Sequence, residues 1–192
     1  MPMLDIVAAA CSRVLNLVRE QPPARAEGEH RLTLDRPLTV ASVMTSPAVT
    51  CNPETTLGEV AQLMWTHDLG FLPVVARDTG ELVGVITDRD ALMGAWTQGK
   101  PLWDVPVSVS MERSVKTCRP DMPIAEAEEI LGLSQLHRLP VVDGEGRLVA
   151  VLSLQDLARK ATRTGDAAMA CDVAVVLSAI CSPRVGPPAI LH

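Results

Sequence analysis

Aliphatic and polar positions fall along this chain in short bursts, and the same succession of bursts occurs twice. Leu57, Val60, Ala61 and Met64 recur at helical spacing and predict a helix with one buried stripe. Thr56-Leu57-Gly58-Glu59 fits a capping box at its start, with Thr56 as cap and Glu59 reaching back. Two aliphatic runs follow, Leu72–Val75 and Leu82–Ile86, with Asp78-Thr79-Gly80 marking a turn between them. Both read as strands buried on both faces, because they are nearly continuous in apolar residues. A second helix starts near Asp88. Ile124, Ala127, Ile130 and Leu131 then predict another helix. Leu139–Val142 and Leu148–Leu152 predict two more strands around Asp143-Gly144-Glu145-Gly146, and a helix starts near Leu154.

The recurrence is a true internal repeat. A shift of 111 − 44 = 67 lays Met44 on Met111, Thr50-Cys51-Asn52-Pro53 on Thr117-Cys118-Arg119-Pro120, and Leu72-Pro73-Val74-Val75 on Leu139-Pro140-Val141-Val142. One deletion in the next turn makes the shift 66, which lays Leu82–Thr87 on Leu148–Ser153 and Asp90 on Asp156. A short extended piece opens each copy, Ala48–Cys51 or Val115–Cys118. The expected class is α+β (α/β layered): two tandem β-α-β-β-α units. About fifty residues make too small a core to stand alone, so the copies should pack on each other.

The boundaries expected from this pattern are 1–38 for an N-terminal helix and linker, 39–100 and 101–162 for the two copies, and 163–192 for a C-terminal helix and tail. Leu4–Val18 read as an amphipathic helix, Arg25–Arg31 as a solvated linker, and Pro101–Val109 as the joint between copies. Ala167–Ile180 read as one more helix, with a Pro-rich end over Pro183–Pro188. The flanking helices are expected on the core or on a second subunit.

Composition narrows the class. The chain has 192 residues, 47% hydrophobic and 2% aromatic, so the core must be aliphatic. A net charge of −6, with no basic stripe interleaved with aromatics, argues against nucleic acid as partner. No apolar run reaches the ~18 residues a membrane span needs. Five cysteines, with no CxxC and no metal-finger spacing, read as reduced and mostly buried thiols in a cytoplasmic protein. Ala8-Ala9-Ala10-Cys11 resembles a lipoprotein box, but Asp5 and the lack of a positive start speak against a signal peptide.

Gly84-Val85-Ile86-Thr87-Asp88-Arg89-Asp90 and His137-Arg138-Leu139-Pro140-Val141-Val142-Asp143 closely resemble strings of the CBS-domain family, and the likeness covers about Thr39–Thr162. The resemblance implies two CBS motifs packed through their sheets with pseudo-twofold symmetry. Two such pairs commonly form a disc, so a homodimer is implied. It also implies a cleft for an adenosyl compound: AMP, ADP, ATP, S-adenosylmethionine or a dinucleotide. No covalent cofactor and no metal is expected.

The chemistry of such a cleft can be read from residue types. A carboxylate can accept both ribose hydroxyls. A hydroxyl and free N–H groups at a helix start can receive phosphate oxygens. Thr87 with Asp90, and Ser153 with Asp156, supply this pair in each copy, although Thr-x-x-Asp is also an ordinary cap. Ala150 in place of Gly84, and Leu154-Gln155 in place of Asp88-Arg89, put the second site in doubt. His137 and Arg138 are similar to the basic pair that meets phosphates in the gamma subunit of AMP-activated protein kinase. By that likeness they would combine with Thr87 and Asp90, while Ser153 and Asp156 would face the uncharged Gly70 and Phe71. Unequal sites follow. The plainer reading of His137 and Arg138 is a solvated loop.

Thr50 and Thr117 match base-contacting positions of the family, or are simply strand residues. Cys51 and Cys118 read as matched packing or a redox pair. Trp65, Trp96 and Trp103 read as core or interface fillers, or as stacking platforms for a base. The expected function is a ligand-sensing regulatory module that signals to a separate effector protein. An empty-cleft oligomerisation scaffold is the alternative. An enzyme is disfavoured, because no nucleophile elbow, Walker loop or metal cluster is present and His30, His67, His137 and His192 have no catalytic companion.

Overall fold

The structure, a computed structural model, describes residues 38–183. Its elements run α1 (Leu57–His67), β1 (Phe71–Val75), β2 (Leu82–Thr87), α2 (Asp88–Gln98), α3 (Ile124–Ser134), β3 (Arg138–Val142), β4 (Leu148–Ser153), α4 (Leu154–Thr164) and α5 (Ala167–Ile180), with short 3-10 turns at Val40–Ser42, Leu102–Asp104 and Val107–Val109. The expected helices at Leu4–Val18 and the tail beyond Pro183 lie outside the described residues.

Each α-helix start has a local cause. Thr56 and Glu59 close the expected capping box on α1, which lowers the Glu59 carboxyl below its ordinary range through the Thr56 N–H. Helix α3 starts behind Pro123, which offers no side-chain cap. Helices α1 and α3 end on Asp68 and Gln135 in the left-handed region, whereas α2 and α4 end on Gly99 and Gly165, which adopt it without a Cβ clash.

The strands form two sheets, β1–β2 and β3–β4. Central residues of β1 and β3 are buried, as a two-faced strand requires, but β2 and β4 are only partly so. The expectation of full burial fails for β2 and β4, because half-exposed Leu82, Val83 and Val85 and their counterparts Leu148, Val149 and Val151 keep one flank open. Cys51 and Cys118 each add a single parallel bridge, to Val74 and Val141.

The copies exchange their leading segments. Thr45 bridges Val151 of the second copy, and Glu112, ahead of the second copy, bridges Val85 of the first. Val107 N–H donates to Thr55 O (2.8 Å) and, one repeat apart, Val40 N–H donates to Met122 O (3.0 Å). Leu82 N–H donates to Gly146 O (3.0 Å) and Leu148 N–H to Gly80 O (3.1 Å), so the two sheets meet at their turns.

Compact units cut across the copies. One joins Thr39–Met122 to Leu139–Leu152; the other contains Pro123–Arg138 with the chain from Ser153 onward. The first has an aliphatic core around Leu57, Val60, Leu72, Val74, Ile86 and Val107. Each buried Leu or Ile there contributes about 1.5–3 kcal/mol. In the second unit α5 packs along both α3 and α4, burying Met169 and Val176. The C-terminal helix is therefore a core helix of its own unit.

The tryptophans break the core expectation. Trp65 is 90% exposed and Trp96 74%, and Trp103 lies against Gly58 yet is largely exposed. The thiols divide too: Cys51 and Cys118 are buried, Cys171 half-buried and Cys181 exposed. Cys11 lies outside the described residues.

Candidate functional site

The strand-to-helix turn of the first copy is set by Thr87, whose extended backbone (φ −109°, ψ 166°) ends β2 and caps α2. Asp90 N–H donates to Thr87 Oγ1 (3.2 Å). In return Thr87 N–H (3.0 Å) and Thr87 Oγ1–H (2.7 Å) both donate to Asp90 Oδ2. Asp88 N–H reaches Gly70 O (3.3 Å) and ties the turn to the start of β1. Both Thr87 and Asp90 are half-buried. Both bonds that the Asp90 carboxylate accepts in this box fall on Oδ2, and Oδ1 of Asp90 receives no hydrogen bond from the described residues. The expected cap is real, and it leaves one carboxylate oxygen for another donor.

The second copy repeats the box with a different outcome. Ser153 N–H (3.0 Å) and Ser153 Oγ–H (2.5 Å) donate to Asp156 Oδ2, and Asp156 N–H returns a bond to Ser153 Oγ (3.1 Å). Leu154 N–H to His137 O (3.0 Å) is the counterpart of Asp88 to Gly70. Here Asp156 Oδ1 is taken by Arg159 (3.0 Å), and Ser153 and Asp156 are buried. The repeat places Met93 where Arg159 stands. Sequence reasoning missed Arg159, although its i, i+3 spacing from Asp156 on one helix was a readable signal.

His137 is exposed and Arg138 half-buried at the start of β3. With Ser153, Gln155 and α5 residues Val173 and Leu177 they line a cavity of about 320 Å³. The structure thus brings His137, Arg138 and Ser153 to one cavity, and Thr87 and Asp90 to one turn. Gln155, read from sequence only as a departure from the first copy's Arg89, joins the former. Thr50 and Thr117 are half-buried, one residue ahead of the bridging Cys51 and Cys118.

Burial pushes the Cys51 thiol up to about 12 and that of Cys118 to about 11, so both stay protonated at neutral pH. That fits matched packing. Among the described residues no group of three or more His, Cys, Asp or Glu could hold a metal ion, and no helix is long and apolar enough to cross a membrane.

Comparison with known proteins locates this geometry in a family. The family model described as CBS domain matches residues 40–95 and 104–163. The CBS domain-containing protein YhcV of Bacillus subtilis is 36% identical over 119 residues, which are 62% of this chain and 82% of that protein. Inosine-5'-monophosphate dehydrogenase of Methanocaldococcus jannaschii is 32% identical over 118 residues, but the match spans only 22% of that enzyme. Among solved structures, CBSX2 in complex with AMP aligns with TM-score 0.59 and 27% identity, covering 66% of this chain and 98% of that one. The CBS domain pair of protein MJ0100, in complex with 5-methylthioadenosine and S-adenosyl-L-methionine, aligns with TM-score 0.59 and 26% identity, covering 67% and 99%.

Proposed function

This chain belongs to the CBS-domain family and carries two motifs in tandem, and on that premise we propose that it is a regulatory module binding an adenine nucleotide (AMP, ADP or ATP) in the cleft between the motifs. The observation that carries this reading is the first-copy box: Asp90 is fixed by Thr87 through one oxygen while the other receives no hydrogen bond from the described residues. A carboxylate so held needs no reorganisation to accept ribose hydroxyls. The first-turn N–H groups of α2 add donors for phosphate oxygens. The AMP complex of the similar CBSX2 supports the ligand class.

His137 and Arg138 are the proposed phosphate contacts, because a guanidinium fork meets phosphate oxygens bidentately. Their pairing with Thr87 and Asp90 is carried over from the family likeness, as are the base contacts of Thr50 and Thr117. Ser153 and Asp156 form the weaker site. Ligand binding would bias the arrangement of the motifs, and so the surface offered to a separate effector protein. The module is read as a homodimer in the cytoplasm with no catalytic step of its own. The MJ0100 complex favours one second reading, an S-adenosyl ligand in the same place.

A thermal-shift panel of AMP, ADP, ATP, NADH, S-adenosylmethionine and adenosine tests this. A nucleotide present at 100 times its Kd should add about 2.7 kcal/mol of stability. No shift from any member would leave only a scaffold. A shift from S-adenosylmethionine alone would select the second reading.

A further inference from the structure

Helices α3 and α5, both of one compact unit, flank a cavity of about 430 Å³. Glu128 lines it and is only 8% exposed, yet its Oε1 receives no hydrogen bond from the described residues. Glu129 on α3 and Asp172 on α5 line it too, both at exposed positions. Leu133, Val175 and Val176 give the cavity an apolar wall, and among the described residues no Lys, Arg or His lines it. Burial penalises a charged carboxyl at Glu128, and the neighbouring charge of Asp172 opposes it further. The repeated motif does not demand this cost: the shift of 67 puts Ala61 and Gln62 at the first-copy positions of Glu128 and Glu129. A buried acceptor that its own fold leaves without a donor marks a place for an outside one.

We propose that this cavity binds an aliphatic ammonium ion, with its charged end against Glu128, Glu129 and Asp172 and its alkyl part against Leu133, Val175 and Val176. An ammonium head brings three N–H donors and no acceptor, the complement of three carboxylates. A bare metal ion fits less well, because among the described residues no three or more His, Cys, Asp or Glu are grouped to hold one. The volume falls within the range of about 300–1,000 Å³ of ordinary small-molecule pockets. A bound cation also favours the ionised form of Glu128, whose carboxyl burial raises to about 7. Binding therefore releases a proton and tightens as pH rises. Glu129 on α3 and Asp172 on α5 are the other charged groups lining the cavity, and their carboxylates favour the same cation. The proposal does not depend on which nucleotide the module binds.

Calorimetric titration of the full chain with n-butylammonium chloride tests this, against n-butanol and magnesium chloride at matched ionic strength. The ammonium ion should bind saturably, and about tenfold tighter at pH 8 than at pH 6 for a carboxyl near 7. Butanol and magnesium should not saturate. Glu128→Gln should weaken the ammonium ion about 10–100-fold and abolish the pH dependence. Should that variant not fold, Asp172→Asn, at its exposed position, should still weaken binding several-fold. No saturation by butylammonium at pH 8 overturns the proposal. Equal binding of butanol overturns it too, because only an apolar cleft is then left. So does displacement by magnesium, which assigns the site to a metal, and so does full affinity in whichever variant folds.

Discussion

The turn at Thr87 and the turn at Ser153 share one design and differ in one contact. Both are capping boxes with the same three hydrogen bonds, two of them on a single carboxylate oxygen. In the second copy Arg159 claims the other oxygen and the pair is buried; in the first, Met93 stands in that place. A duplicated sequence therefore keeps a structural device twice and, on the proposed reading, its binding capacity once. The box makes the helix start, and a residue one turn further on decides whether the carboxylate has anything left to offer.

The comparison breaks most directly at the carboxylates. Asp90→Ala should weaken AMP binding about 10–100-fold by calorimetry, the range expected for hydrogen bonds to a charged group. Asp156→Ala should mainly lower stability, by about 1 kcal/mol for the lost cap. Equal binding losses would show the sites to be equivalent. Met93→Arg should build the second copy's ion pair into the first. It should weaken AMP several-fold while changing stability by less than about 1 kcal/mol, since an exposed pair contributes little.

Backbone packing offers a smaller contrast. A Cβ on Gly84 would lie 2.9 Å from Glu112 O, at the place where the exchanged leader crosses β2. Gly84→Ala should cost about 1–3 kcal/mol in denaturant unfolding, whereas Ala150→Gly at the matching position should cost about 0.5–1 kcal/mol.

The smallest effect expected is pH-dependent. Glu128 is buried on α3 where the first copy has Ala61, and its Oε1 has no hydrogen bond from the described residues. Burial, then the charge of Asp172 on α5, raise its carboxyl to about 7. The folded form thus holds a proton that the unfolded chain releases above its ordinary 4.5. Stability should fall as pH rises through that window and level off above 7. Glu128→Gln should flatten this slope, adding on the order of 1 kcal/mol at pH 8 and nothing at pH 4, after discounting for partial solvent screening. An unchanged slope would place the titration elsewhere.

Local rules made most of the fold legible. The stripe Leu57–Met64, the strands and the Ala167–Ile180 helix all appear within about a residue of expectation, because each is written in neighbouring side chains. Glu128 was readable too, since it sits at i+4 from the buried Ile124. The core reading of the tryptophans failed because residue size predicts burial only on average; these three fell on outward helix faces and a linker turn. The exchange of leaders was not legible at all. Thr45 and Val151 are about a hundred residues apart, and nothing in either strand names its partner.

That exchange has a consequence for anyone dividing the gene. Met1–Lys100 would carry away the strand edge that Glu112 completes, and 101–192 would lack the segment that closes on Val151. Neither piece should be soluble alone. Produced together, they should find each other as complementing fragments, each supplying the missing selvage of the other.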